Sequence, residues 1–164
     1  MIIRPETPAD VAAIHDLTTT AFEGQPHSDG SEPHIIDRLR AAGALTLSLV
    51  AEEDRAIIGH VAFSPVTISG KADGWFGLGP VSVAPVRQRE GVGSALIREG
   101  LSRLRTGGAK GCVLVGAPGY YKRFGFEHDP AFTLEGYPPE YFLRVAFSPV
   151  YEGGPVAYHP AFFG

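Results

Sequence analysis

The chain has 164 residues, 44% hydrophobic and 20% charged, with a formal net charge of −4, a size that suits one domain with one substantial core, here residues 1–164. The acidic balance and the lack of any basic run exclude a nucleic-acid partner, which needs a clustered cationic face. No apolar run approaches a membrane span and Met1-Ile2-Ile3-Arg4-Pro5 has no signal-peptide hydrophobic region, so no membrane partner and a cytoplasmic address are expected.

Ile2-Ile3-Arg4 reads as a short first strand. Pro8-Ala9-Asp10 opens a helix whose residues Val11, Ile14, Leu17 and Thr18 recur at helical spacing. A loop rich in Gly, Pro and Ser, Glu23 to Ser31, precedes a second helix with Ile35, Ile36 and Leu39 on one face. Leu45 to Glu52 is a strand, and Glu53-Asp54-Arg55 turns it into another, Ile57 to Ile68. A strand through Leu78–Val83, a helix ending at Thr106, a Gly107-Gly108 stop and the apolar run Cys112 to Val115 follow. That run has the character of a strand buried on both faces. Gly116, Pro118 and Gly119 end it, and Tyr120 to Phe124 has room only for a short helical piece before Gly125. Tyr141 to Phe147 and Pro155 to Tyr158 read as two closing strands joined through Glu152-Gly153-Gly154.

Chemistry concentrates between Leu78 and Ile97. Gly79-Pro80 interrupts pairing in its strand, because proline cannot donate to a ladder and glycine there marks a bulge or a close approach. Arg87-Gln88-Arg89-Glu90-Gly91-Val92-Gly93-Ser94 then leads into a helix. Two glycines around one residue let backbone N–H groups approach an anion, and the helix start adds unsatisfied donors and partial positive charge. Arg87 and Arg89 supply cations beside it. The Gly-Lys-Ser/Thr of a nucleoside-triphosphatase loop is absent, and the third glycine of a dinucleotide fingerprint is replaced by Leu96.

Gln88-x-x-Gly91-x-Gly93, directly after a strand carrying Gly-Pro, resembles the pyrophosphate loop of the Gcn5-related N-acetyltransferases, and Tyr121-x-x-x-Gly125-Phe126 is similar to a second motif of that superfamily. The element order is similar to theirs over about residues 1 to 128. The combination of LGPVSV, VLVGAPGYYKRFGF and VAYHPAF looks like the YhbS-type subgroup. The resemblance implies an α/β (α+β) fold: a mixed, mostly antiparallel central sheet with helices on both faces and a splayed parallel strand pair for acetyl-CoA. It implies pantetheine along Val81, Ser82 and Val83, the pyrophosphate at Arg87, Gln88, Arg89, Glu90, Gly91, Val92, Gly93 and Ser94, an oxyanion donor at the Val83 amide, and Tyr121 as acid for the thiolate.

The expected reaction is direct acetyl transfer to a primary amine, small or peptidic, in a ternary complex. An alkyl ammonium must first lose a proton, at a cost of about 4.6 kcal/mol at pH 7. Many relatives carry a glutamate on the motif strand for this, yet no acidic residue or histidine lies between Trp75 and Arg87. Glu23, Glu32, His34 and His60 remain as candidate bases, and a cleft meeting Val83 and Tyr121 should be lined by at least one of them. The missing glutamate leaves open an alternative, a non-catalytic acyl-CoA sensor. The single Cys112, inside an apolar run, forms no internal disulfide and is a poor nucleophile. The six histidines lack metal spacing, so no metal is expected. A homodimer is compatible with the sequence.

Overall fold

The computed structural model describes residues 1–164. Its first half is a meander: β1 (Ile2–Pro5), β2 (Leu47–Glu53), β3 (Ala56–Ile68) and β4 (Trp75–Val83) are neighbours in that order, all antiparallel. Between β1 and β2 the chain forms α1 (Val11–Phe22) and α2 (Glu32–Ala41). After β4 come α3 (Val92–Thr106), β5 (Gly111–Val115), the single turn α4 (Pro118–Tyr121) and the two-residue strands β6 (Glu127–His128) and β7 (Phe132–Thr133). β8 (Phe142–Ala146) and β9 (Gly154–Tyr158) complete the sheet.

Strand alternation decides which helix covers which face. Leu49, Val61 and Phe63 join Leu96, Ile97 and Leu101 of α3 in the largest apolar cluster, whereas Val50 packs with Ile14 of α1 and Ile36 of α2. Helices therefore cover both faces. The approach of α3 to the sheet is close: a methyl on Gly59 would come within 2.8 Å of Val92, and one on Gly100 within 2.3 Å of the Phe63 ring. Glycine at both positions lets helix and strand touch.

The two closing strands form where expected, as β8 and β9, and take different partners. β8 pairs with β5 and β6, while β9 leaves it and pairs with the far end of β3, Val66–Ile68, and with β7. The length of β3, 13 residues, explains this: β2 and β4 use its first part and leave its end free for the chain terminus.

The feature that positions the site is the junction of β4 and β5. These parallel strands pair only over Trp75–Gly77 and Gly111–Val113. Beyond that, Val61 faces Val81 and Phe63 faces Leu78 across β3, so β4 holds one extra residue around Gly79-Pro80, a bulge. Past the bulge β4 keeps β3 on one side and has no strand partner on the other.

Candidate active site

The cradle lies where β4 hands over to α3. A 3-10 turn at Pro85–Arg87 is followed by Arg89 and Gly91 in left-handed backbone, with φ of 67° and 87°. Gly91 caps α3 with no side-chain partner for the helix start. The first helical bond runs from the Ala95 amide to the Gly91 carbonyl at 3.0 Å, so the N–H groups of Val92, Gly93 and Ser94 have no acceptor in the chain. A methyl at Gly91 would meet nothing within 4 Å, and one at Gly93 only Val83 Cγ2 at 3.5 Å. The φ of Gly91 accounts for its glycine. Gly93 sits in ordinary helix, where packing leaves room for a larger residue. Three unpaired amides at a helix start, with free space where a Gly91 side chain would stand, have the character of an anion site.

The side chains of the loop divide into free and engaged. Arg89 is exposed and makes no ion pair, and Arg98, one turn beyond Ser94, lies over the Phe124 ring at 4.9 Å. Arg87, expected beside the phosphates, instead binds Glu53 and, at 3.0 Å, Glu90. These residues brace the loop against the end of β2. Gln88 donates to the Val83 carbonyl at 3.2 Å and fastens the loop to β4.

Val81 and Val83 face the gap through their backbones. The Ala84 amide donates to the Ile58 carbonyl at 2.9 Å, and alternation of an antiparallel ladder then bonds Ser82 to His60 and turns the amides and carbonyls of Val81 and Val83 away from β3. An extended arm between the splayed strands would meet these groups as a partner strand does. Across the gap, the Tyr121 ring lies over Gly116, where a methyl would come within 2.5 Å of it. Tyr121 also stands edge-on to Tyr120 at 4.9 Å and Phe126 at 6.1 Å. Its hydroxyl makes no hydrogen bond within the chain, and burial, helped by Tyr120, pushes its pKa up, so the phenol holds its proton at neutral pH. Tyr120 is engaged differently, 3.0 Å from Ser94 Oγ at the start of α3.

A cleft opens at the same stretch of β4, lined by Phe22, Pro26, His27 and Ser28 on one side and Val81, Val83 and Gln88 on the other. None of the four expected bases lines it, and Tyr121 lies outside it. Glu23 and Glu32 border an adjoining hollow, where Glu32 accepts from Ser28 Oγ at 2.6 Å and braces the loop. His34 is exposed on α2, edge-on to His15. His60 is fully buried, with Nε2 2.7 Å from Ser48 Oγ. His27 was missed because an exposed histidine in a Gly/Pro-rich loop carries no local signal; only tertiary folding brings it to Val83.

The splayed pair, the open helix start and the facing backbone groups are features an acyl-CoA-dependent transferase requires, and comparison with known proteins shows the family. The acetyltransferase (GNAT) domain model matches residues 2–128, and the chain belongs to that family. It is 39% identical to the uncharacterized N-acetyltransferase YhbS of Escherichia coli over 128 residues, 77% of this chain and 74% of that protein. Among solved structures it is similar to a GNAT family acetyltransferase from Brucella melitensis in complex with acetyl-CoA, with 54% identity, a TM-score of 0.89 and coverage of 98% and 97% of the two chains. It is also similar to Escherichia coli YhbS in complex with CoA, with 32% identity, a TM-score of 0.92 and coverage of 99% and 92%.

Proposed function

We propose that residues 1–164 form one cytoplasmic acetyltransferase domain that moves an acetyl group from acetyl-CoA to a primary amine in a ternary complex. The observation that carries this reading is the unpaired cradle, three amides at the start of α3 beneath open space at Gly91 and Gly93. The two relatives solved with coenzyme share this fold along nearly the whole chain. Acetyl-CoA supplies the activated thioester. Val92, Gly93 and Ser94 bind its pyrophosphate through backbone N–H groups, with Arg89 as the free cation and Gln88, Arg87 and Glu90 holding the loop in shape. Val81, Ser82 and Val83 align the pantetheine arm. The Val83 amide, turned into the gap, donates to the thioester oxygen as negative charge develops there.

Tyr121 holds the proton for the departing sulfur. Its pKa lies above the ordinary tyrosine value, and a thiol near ~8.5 is the weaker base, so proton donation eases departure without fully neutralising the thiolate. The amine enters by the cleft at His27 and Val83, from the α1 side of β4, opposite α3. The sensor alternative has no use for that second opening. The test is thiol detection of CoA release from acetyl-CoA across a panel of small amines, amino acids and peptides. Amine-dependent release is expected for at least one class, and acetyl-CoA binding without release on any of them would establish the sensor.

A further inference from the structure

The buried side-chain polar atoms that lack a partner are four: His60 Nδ1, Ser64 Oγ, Ser82 Oγ and Tyr158 Oη. They share one face of the sheet. Ser82 is the cross-strand neighbour of His60, Ser64 lies opposite Gly77, and Tyr158 lies opposite Val66. A methyl on Gly77 would meet Val66 at 3.2 Å and the Tyr158 ring at 3.5 Å, which places that ring over the last paired residue of β4 before the strands part. This is the α1 and α2 face, since Val50, opposite His60, packs on Ile14 and Ile36. Buried polar atoms are rarely left unpaired, and several in one place mark enclosed water or a ligand group.

Hydrogen-bond logic fixes the tautomer of His60. The Glu6 carboxylate accepts the hydroxyl of Ser48, so Ser48 Oγ has a lone pair and no proton to offer Nε2, which must donate to it. Nδ1 is therefore a bare lone pair, buried beside Ser82. Beyond Glu6 stands Arg40, at 2.9 and 3.0 Å from its carboxylate oxygens.

We propose that this face carries a proton relay for the acceptor amine, running from an enclosed water at Ser82 and His60 through Ser48 to Glu6. The proposal rests on the transferase reading above. The ammonium gives its proton to the water, and the water gives one to Nδ1. The Nε2 proton passes to Ser48 Oγ, and the Ser48 proton passes to the Glu6 carboxylate; burial raises the Glu6 pKa, but the hydrogen bonds from Arg40 and Ser48 bring it below the usual carboxylate range, so Glu6 holds that proton only in passing. When product has left and water refills the cleft, the reverse shift restores the Nε2–H tautomer and releases the proton to solvent. Ser82 sits between Val81 and Val83, the residues whose backbones face the thioester arm, so the relay starts where the amine must lose its proton. The charged groups around His60 are Glu6 and Arg40, with Asp37 on Arg40. The buried residues of α1 are Ile14, Leu17 and Thr18, and β4 contributes Ser82; none of these titrates.

Two measurements test the relay. Long-range proton–nitrogen spectra of protein labelled with nitrogen-15 histidine, with and without CoA, read the His60 tautomer whether or not any amine is acetylated. Neutral Nε2–H between about pH 6 and 9 is expected, and an Nδ1–H tautomer or an imidazolium overturns the relay. For the amine with the fastest release in the screen, Ser48→Ala should lower kcat by about 100-fold with an unchanged KM for acetyl-CoA. The deficit should shrink as pH rises toward the amine's own pKa, and Ser48→Thr should restore the rate. A Ser48→Ala profile that matches the parent at every pH overturns the proposal. If Ser48→Ala does not fold, Glu6→Gln must show the same pH-dependent deficit. Failure of every amine would overturn the transferase reading and the relay with it, whereas an Nδ1–H tautomer or an imidazolium in a protein that does acetylate an amine would overturn the relay alone.

Discussion

The two faces of the central sheet have opposite characters. On the α3 face, Leu49, Val61, Phe63, Leu96 and Ile97 are at most 1% exposed and wholly apolar. On the α1 face β2, β3 and β4 carry Ser48, His60, Ser64 and Ser82 among their apolar residues, all buried and only partly paired. Polar burial costs about 1 to 3 kcal/mol per unmet group, so a sheet needing only stability would make both faces alike. The difference teaches a division of labour. On the proposed reading the α3 face holds the fold and sets the open helix start offered to the coenzyme, while the α1 face gives up stability to keep proton-handling groups beside the gap.

The largest effect should come from the phenol on the coenzyme side. Tyr121→Phe keeps the ring over Gly116 and removes only the hydroxyl, so kcat should fall by roughly ten- to a thousandfold while acetyl-CoA affinity stays the same. Steady-state kinetics with calorimetry separates the two, and a loss for Tyr120→Phe with none for Tyr121→Phe would move the acid to the other tyrosine.

The pH response sharpens the contrast between faces. Burial lowers the His60 pKa to about 4, with Glu6 opposing and Arg40 adding to the shift, whereas an unfolded histidine titrates near ~6.5. Between those values the unfolded chain binds more protons than the folded one, so stability is full above about pH 6.5 and declines toward pH 4, by up to about 3 kcal/mol. Denaturant titrations at stepped pH should show this slope, and His60→Gln should flatten it; an unchanged slope would assign the acid sensitivity elsewhere. A smaller loss belongs to the apolar face. Gly100→Val drives side-chain atoms into the Phe63 ring and should cost about 1 to 3 kcal/mol of stability with acetyl-CoA affinity intact. A loss of affinity without loss of stability would break the division.

The cradle, the bulge at Gly79-Pro80 and the order of elements through β5 were legible because their signals are local: glycine pairs, a proline in a strand, apolar periodicity. Tyr121 was legible as a position in a motif, and the structure adds the glycine that makes room for its ring. What stayed hidden depends on residues far apart in the chain. The ion pair of Arg87 with Glu53 spans 34 residues, the Glu6–Ser48–His60 chain joins three segments, and β9 pairs with β3 because a long strand left its end free. His27 reaches Val83 only through the packing of α1 on the sheet. None of these contacts leaves a mark within a ten-residue window.

The central claim is that the start of α3 is left open for a coenzyme and not by the needs of the fold. Gly93→Glu tests it most directly, because position 93 has helical backbone and only one neighbour, at 3.5 Å. A side chain there should raise helix propensity, and a carboxylate at a helix start is favourable by about 0.3 to 1 kcal/mol. Calorimetric titration with acetyl-CoA, beside a thermal melt of the same sample, should show affinity reduced by about a hundredfold or more and a Tm equal to or above that of the parent. Undiminished affinity in the folded variant would contradict the account.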